Sequence, residues 1–309
     1  MKRSIKRLLI GAAVLVAGAA AYGGWTYLAS APPAPTVADI AYGANPAQRF
    51  DLWKPAGKGP FPVVLTVHGG AFAFGDKRGH DGLKQDITAL LSHGIAVASV
   101  NYRMSGEARF PAAANDVTAA LLDLRRRAPS LDLDPGRIAL WGKSAGANLV
   151  LLTGLAAGRA PIGTGAPAPV SAIVAMYPPT QFDTMDAQLK ASACGASSAG
   201  HDAADSPESK WLGGPVQQHR DLARQASPLT YVGPTSPPVL VQAGTADCMV
   251  PHQQSIVLAD ALKKAGAPVR IDLLPGAKHI DPAFDAPANL AIVIDFLERA
   301  FAAAPAPAR

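Results

Sequence analysis

At 309 residues the chain is about twice a typical domain, a length that single α/β domains commonly reach. Hydrophobic residues make up 49% and charged residues 17%, enough apolar material for a large core and too much for wholesale disorder. Lys2, Arg3, Lys6 and Arg7 supply most of the net charge of +5, so the nearly neutral remainder gives no ground for nucleic-acid binding, and the two cysteines exclude a disulfide scaffold.

The basic run leads into residues 8–28, which carry no charge. As a helix this segment would span roughly 31 Å, about one bilayer core. Basic residues before it predict an N-terminus held inside and a body exported, anchored on the periplasmic or extracellular side. Pro32 directly follows the small-residue site Ala29-Ser30-Ala31 and should hinder cleavage, which favours a retained membrane anchor. Cleavage near Ala20 and secretion are the alternative. Residues 1–36 are thus read as leader and Pro-rich spacer, 37–302 as the body and 303–309 as a disordered Ala/Pro tail.

Along the body, residues 42–54 read as an antiparallel hairpin around Asn45-Pro46. Apolar, β-rich runs then recur at 63–67, 95–100, 137–141, 170–177, 239–243 and 269–274. They lack polar alternation, as strands buried on both faces of a parallel sheet do. Helical patterns fall at 83–92, 116–127, 145–156, 253–265 and 287–301. In the second of these, Val117, Ala120, Leu121 and Leu124 form one stripe, and Arg125 to Arg127 close the helix as a dipole-matched, solvated end. The alternation predicts a doubly wound, mostly parallel α/β sheet. Residues 180–236 break the rhythm and read as a cap above the carboxyl ends of the strands.

Gly142-Lys143-Ser144-Ala145-Gly146 sits between a strand and a helix. A serine there occupies a sharp turn that exposes its Oγ at a helix N-terminus. His68-Gly69-Gly70-Ala71 follows the strand at 63–67, where glycines let backbone N–H groups approach a developing oxyanion. Gly69, Gly70 and Ala145 are the candidate donors; His68 and Asp76 read as organisers of that loop. A serine needs a histidine to take its proton and a carboxylate to orient the histidine. Asp247 follows the strand at 239–243, and His279 alone of seven histidines follows the last strand, in the chain order Ser, Asp, His. Asp281 and Asp285 are weaker candidates for the acid.

These residues resemble the α/β-hydrolase superfamily, in the carboxylesterase branch of hormone-sensitive-lipase-like and feruloyl or acetyl-xylan esterase-like proteins. Gly75-Asp76-Lys77, Asn101-Tyr102-Arg103, Phe110-Pro111-Ala112-Ala113, Trp211-Leu212-Gly213-Gly214 and Ala226-Ser227-Pro228-Leu229 are similar to that branch's segments. Ala71 replaces a glycine that many relatives carry. The resemblance implies Ser144, Asp247 and His279 as triad and an α/β-hydrolase fold with a cap insertion.

The expected function is hydrolysis of small-molecule esters, of short acyl chains, through an acyl-enzyme. Amide chemistry on the same residues, as in an arylformamidase or a small peptidase, is the alternative, and a surface-anchored binding protein is a further one. No H-E-x-x-H, paired-cysteine spacing or phosphate loop is present, so no metal or nucleotide cofactor is expected. In an oxidising compartment Cys194 and Cys248 would either pair, tying the cap to the loop of Asp247, or stay as two unrelated thiols.

Overall fold

The computed structural model describes residues 31–79, 82–156, 158–163, 169–195 and 200–304. The leader, most of the tail and His80 therefore lie outside the described residues. Among the described residues no helix is long and apolar enough to cross a membrane.

One unit spans Ala34–Arg309. Among its described residues the strands are β1 (Val37–Ala41), β2 (Arg49–Trp53), β3 (Phe61–Val67), β4 (Ala96–Val100), β5 (Leu133–Lys143), β6 (Ile173–Met176), β7 (Val239–Gly244) and β8 (Val269–Leu274). They form one sheet in the order β1-β2-β4-β3-β5-β6-β7-β8. β1 pairs antiparallel with β2 and β2 antiparallel with β4, and the other pairings are parallel. The long helices are α1 (Leu83–Ser92), α2 (Ala112–Arg127), α3 (Ala145–Ala156), α7 (Gln253–Lys264) and α8 (Pro287–Ala303). The short helices α4 (Met185–Ala191), α5 (Pro207–Leu212) and α6 (Arg220–Gln225) lie between β6 and β7.

The apolar runs become central strands because both faces of the sheet are covered. Val63, Leu65, Val239 and Val241 enter one core with α2, α3 and α7. Val64, Val97, Val174 and Leu240 face the other with α1 and α8. The predicted stripe of α2 is fully buried, and burying each such Val or Leu side chain contributes about 1.5–3 kcal/mol.

Several boundaries differ from the sequence reading. The first hairpin strand is Val37–Ala41, not part of 42–54, because Asn45 Oδ1 accepts from the Ala47 N–H at 2.8 Å and folds 42–48 into the turn. β5 begins at Leu133, where it pairs with Phe61 across a register shift. α2 begins at Ala112 and α8 runs to Ala303, two residues beyond the expected 301. At the end of α2, the exposed Arg126 and the half-buried Arg127 pair with the buried Asp123, and Arg125 turns back onto the carbonyls of Pro135 and Pro169.

Candidate active site

The carboxyl ends of β3, β5, β7 and β8 converge on one place. β5 leads into Ser144, held at a φ of 54°, a region that residues other than glycine rarely adopt. The close approach of the chain there explains the flanking glycines: a Cβ on Gly146 would lie 2.1 Å from the Val67 carbonyl oxygen. The Ser144 N–H donates to the Met176 carbonyl at 3.0 Å, which ties the turn to β6.

His279 Nε2 lies 2.9 Å from Ser144 Oγ, and His279 Nδ1 lies 2.7 Å from Asp247 Oδ2. With the Nδ1–H donating to the carboxylate, Nε2 is left to accept the serine hydroxyl proton. Asp247 is buried, and its other oxygen accepts from the N–H groups of Met249 and Val250 at 2.8 and 2.9 Å. Two backbone donors and the imidazole thus satisfy the carboxylate inside the protein. The Tyr177 ring packs edge-on against His279 with centroids 4.6 Å apart, and it meets Phe284 in the same manner.

Gly69 abuts this turn, since a Cβ there would lie 2.9 Å from the Lys143 carbonyl oxygen and 3.2 Å from Ser144 Cβ. Gly70 has a φ of 107° and no room for a side chain, with the Phe74 carbonyl oxygen 1.9 Å from a built Cβ. Ala145 opens α3 directly after the serine and is buried. The loop is braced from below. His68 is fully buried, stacks on Tyr102 at 4.5 Å, and its Nδ1–H donates to the Gly69 carbonyl at 2.7 Å. Burial holds its pKa below the usual value, so it is neutral and has a structural place away from the cleft. Asp76 accepts from Asn101 and from the Arg78 N–H, both at 2.8 Å. Arg103 makes a two-pronged pair with buried Asp116 at 2.7 and 2.8 Å, the geometry that suits a guanidinium and a carboxylate.

Asp281 and Asp285 are not brought to His279 as its acid. Asp281 accepts from the N–H groups of Ala283 and Lys278 at 3.0 and 3.2 Å. Asp285 pairs with Lys143 at 2.6 Å.

A cleft of about 140 Å³ opens over Ser144 and His279. Gly69, Gly70 and Ala71 line one side, and Phe74, Tyr177, Met249 and Ile280 give it an apolar wall. Phe74, Met249 and Ile280 are 67%, 58% and 45% exposed at its rim. None of the described residues of 180–236 lines it. The cap expected above the strand ends instead packs to one side. Its Phe182, Trp211 and Tyr231 are buried, and Trp211 stacks on Phe72 with centroids 3.9 Å apart. Trp211 thereby draws Phe72 into the core, which leaves Phe74 to face the cleft. Cys194 and Cys248 form a disulfide that joins this segment to the residue after Asp247.

Sequence reading missed Tyr177, Met249 and Ile280. The last two directly flank positions it had singled out, so the signal was their place on loops leaving strand ends. It also missed Lys143, whose buried ammonium lies 2.9 Å from Asp86 and 2.6 Å from Asp285. Burial opposes that charge, but the two carboxylates outweigh it and raise the lysine pKa. Burial pushes Asp86 up to about 6, against the pull of Lys143. Among the described residues no group of His, Cys, Asp and Glu could hold a metal ion.

The family model BD-FAE matches residues 50–262. Esterase LipC of Mycobacterium tuberculosis is 30% identical over 249 residues, which are 78% of this chain and 58% of LipC. The chain therefore spans less than two thirds of that relative. Acetyl-hydrolase of Streptomyces hygroscopicus is 30% identical over 228 residues, covering 71% of this chain and 67% of that protein. A solved structure described as a truncated form of carbohydrate esterase from gut microbiota superposes with a TM-score of 0.77. It covers 88% of this chain and 100% of that one at 24% identity, which shows a shared fold.

Proposed function

Because this chain belongs to the BD-FAE family, within the carboxylesterase branch of the α/β-hydrolases, we propose that it is a serine carboxylic-ester hydrolase. The observation that carries the reading is the unbroken hydrogen-bond chain from Asp247 through His279 to Ser144 Oγ at the floor of a cleft.

In the proposed reaction Ser144 Oγ attacks the ester carbonyl carbon while His279 Nε2 takes the hydroxyl proton. Asp247 holds the ring in the tautomer that leaves Nε2 free to accept, and it stabilises the imidazolium that forms. The carbonyl oxygen, now an oxyanion, receives N–H groups from Gly69, Gly70 and Ala145. Each such donor is worth about 2.7–4 kcal/mol in the transition state. The imidazolium returns its proton to the leaving alkoxide, which departs as alcohol and leaves acyl-Ser144. Water then attacks the acyl carbon, His279 takes its proton and passes it to Ser144 Oγ, and the acid is released.

We further propose short acyl groups as substrates, supported by the small cleft and by the name of the Streptomyces relative. An exported location is supported by the basic, apolar leader and by the Cys194–Cys248 bridge, since disulfides persist in oxidising compartments. Replacing Ser144→Ala should lower kcat on p-nitrophenyl acetate by roughly 10⁴- to 10⁶-fold and abolish labelling by a fluorophosphonate, with folding retained. Wild-type protein that neither turns over the ester nor takes the label would favour a binding protein instead.

A further inference from the structure

Lys143 holds the variable position before the nucleophile, and its side chain is only 6% exposed. A buried ammonium is tolerated only where its charge is matched. Here the match comes from two elements remote in sequence: Asp86 on α1 at 2.9 Å and Asp285 in the turn Pro282–Asp285 at 2.6 Å. The ammonium also lies 5.8 Å from the centre of the Trp141 ring. Asp285 is itself wedged against Gly82, where a Cβ would come within 2.2 Å of its carboxylate.

Ser144 itself and Ile280, the residue after His279, have left-handed backbones, with φ of 54° and 57°. For a β-branched residue such as Ile280 that conformation is a true outlier, and it persists only where the surroundings enforce it. Lys143 is bonded to the first strained residue and ion-paired to the turn that follows the second. We propose, on the hydrolase reading above, that Lys143 is a positioning residue. The Asp86–Lys143–Asp285 clamp holds the serine turn and the histidine loop in one register, so that His279 Nε2 stays within reach of Ser144 Oγ.

The test uses the full chain with Lys143→Met, which keeps the length of the side chain and removes the charge. A misplacement of reacting groups by about 1 Å costs roughly 100-fold, so kcat on p-nitrophenyl acetate should fall roughly 10- to 100-fold with little change in KM. The low-field proton resonance of the His279 Nδ1–H, which needs no substrate, should shift or broaden. Should Lys143→Met fail to fold, Asp285→Asn keeps the lysine and its Asp86 partner and should show the same changes more weakly. A lower Tm with kcat per folded molecule and the resonance both unchanged would mean a merely structural lysine and overturn the proposal. If the wild type shows neither turnover nor labelling, the hydrolase reading fails, and the resonance alone then decides the clamp.

Discussion

Ser144 and Gly70 meet the same demand by opposite means. The serine must carry a hydroxyl, so it bears a left-handed φ of 54° at a cost of about 1–3 kcal/mol that the surrounding packing offsets. Gly70 contributes backbone only, so it has neither Cβ nor strain, and its φ of 107° turns the loop beside Phe74. Gly70→Ala should therefore displace the loop and lower kcat roughly 100- to 1000-fold, the effect of losing one oxyanion donor. Gly57 is the control, with a φ of 106° and nothing within 4 Å of a built Cβ. Alanine there should cost about 1 kcal/mol of stability and leave kcat untouched; comparable activity losses at both positions would count against the oxyanion assignment. Ser144, Asp247 and His279 could be proposed from the sequence because each lies on a segment leaving a strand end and the chain order narrows the choice. The Lys143 clamp was not, since no local pattern joins Lys143 to Asp285 across 142 positions. Ion pairs between distant elements are products of the fold, and periodicity does not announce them.

At the scale of elements, the segment between β6 and β7 grips the loop of the candidate acid at two points. One is the Cys194–Cys248 bridge, with Cα atoms 5.5 Å apart and a sequence separation of 54. In the chain-entropy model such a loop contributes about 4 kcal/mol, so Cys194→Ser with Cys248→Ser should lower the Tm by roughly 7 °C for a domain of this size. A calorimetric scan checks it, and an unchanged Tm would show that the bridge constrains nothing in the unfolded chain. The other grip is His201, whose Nε2–H donates to the Met249 carbonyl at 2.9 Å while Nδ1 pairs with Glu208 at 3.0 Å. Burial opposes charge on this ring, but Glu208, with Asp186 and the Met249 carbonyl, outweighs it and raises the pKa above its usual value. Folding thus favours the protonated ring. That contribution is complete below about pH 6.5 and is lost as pH rises through the raised value. The Tm gap between wild type and His201→Gln should be widest near pH 6 and narrow towards pH 9; a gap that widens with pH would refute the pairing. The central strands and the long helices were legible, because both core layers impose strict apolar patterns; β1 and the short helices between β6 and β7 were not. The placement of residues 180–236 was not. The break in rhythm read as a cap above the strand ends, whereas Trp211 and Phe182 pack on the buried Phe72.

On the scale of the whole molecule, the mostly parallel sheet gathers the loops that leave β3, β5, β6, β7 and β8 at one edge, and those loops build the described walls of the cleft. With no described residue of 180–236 lining the cleft, the proposed limit on the acyl chain rests on the cleft volume of about 140 Å³. A buried apolar cavity of about 150 Å³ holds one benzene ring, so the space here accepts a small group and little more. Each CH₂ moved from water onto an apolar wall gains about 0.8 kcal/mol, close to four-fold in kcat/KM, but only while wall remains. Phe74, Met249 and Ile280 supply such wall at the rim, largely exposed, and beyond them a chain would lie in water. The proposed preference is therefore a rise or plateau from acetate to butyrate and a decline at longer lengths. Measuring kcat/KM below the micelle threshold for p-nitrophenyl acetate, butyrate, octanoate and palmitate tests it. Truncating the rim by Met249→Ala or Ile280→Ala should reduce the butyrate-to-acetate ratio, because the two added methylenes lose their contact. A maximum at octanoate would instead mean that the exposed rim residues close around a long chain, and the short-acyl reading would be wrong.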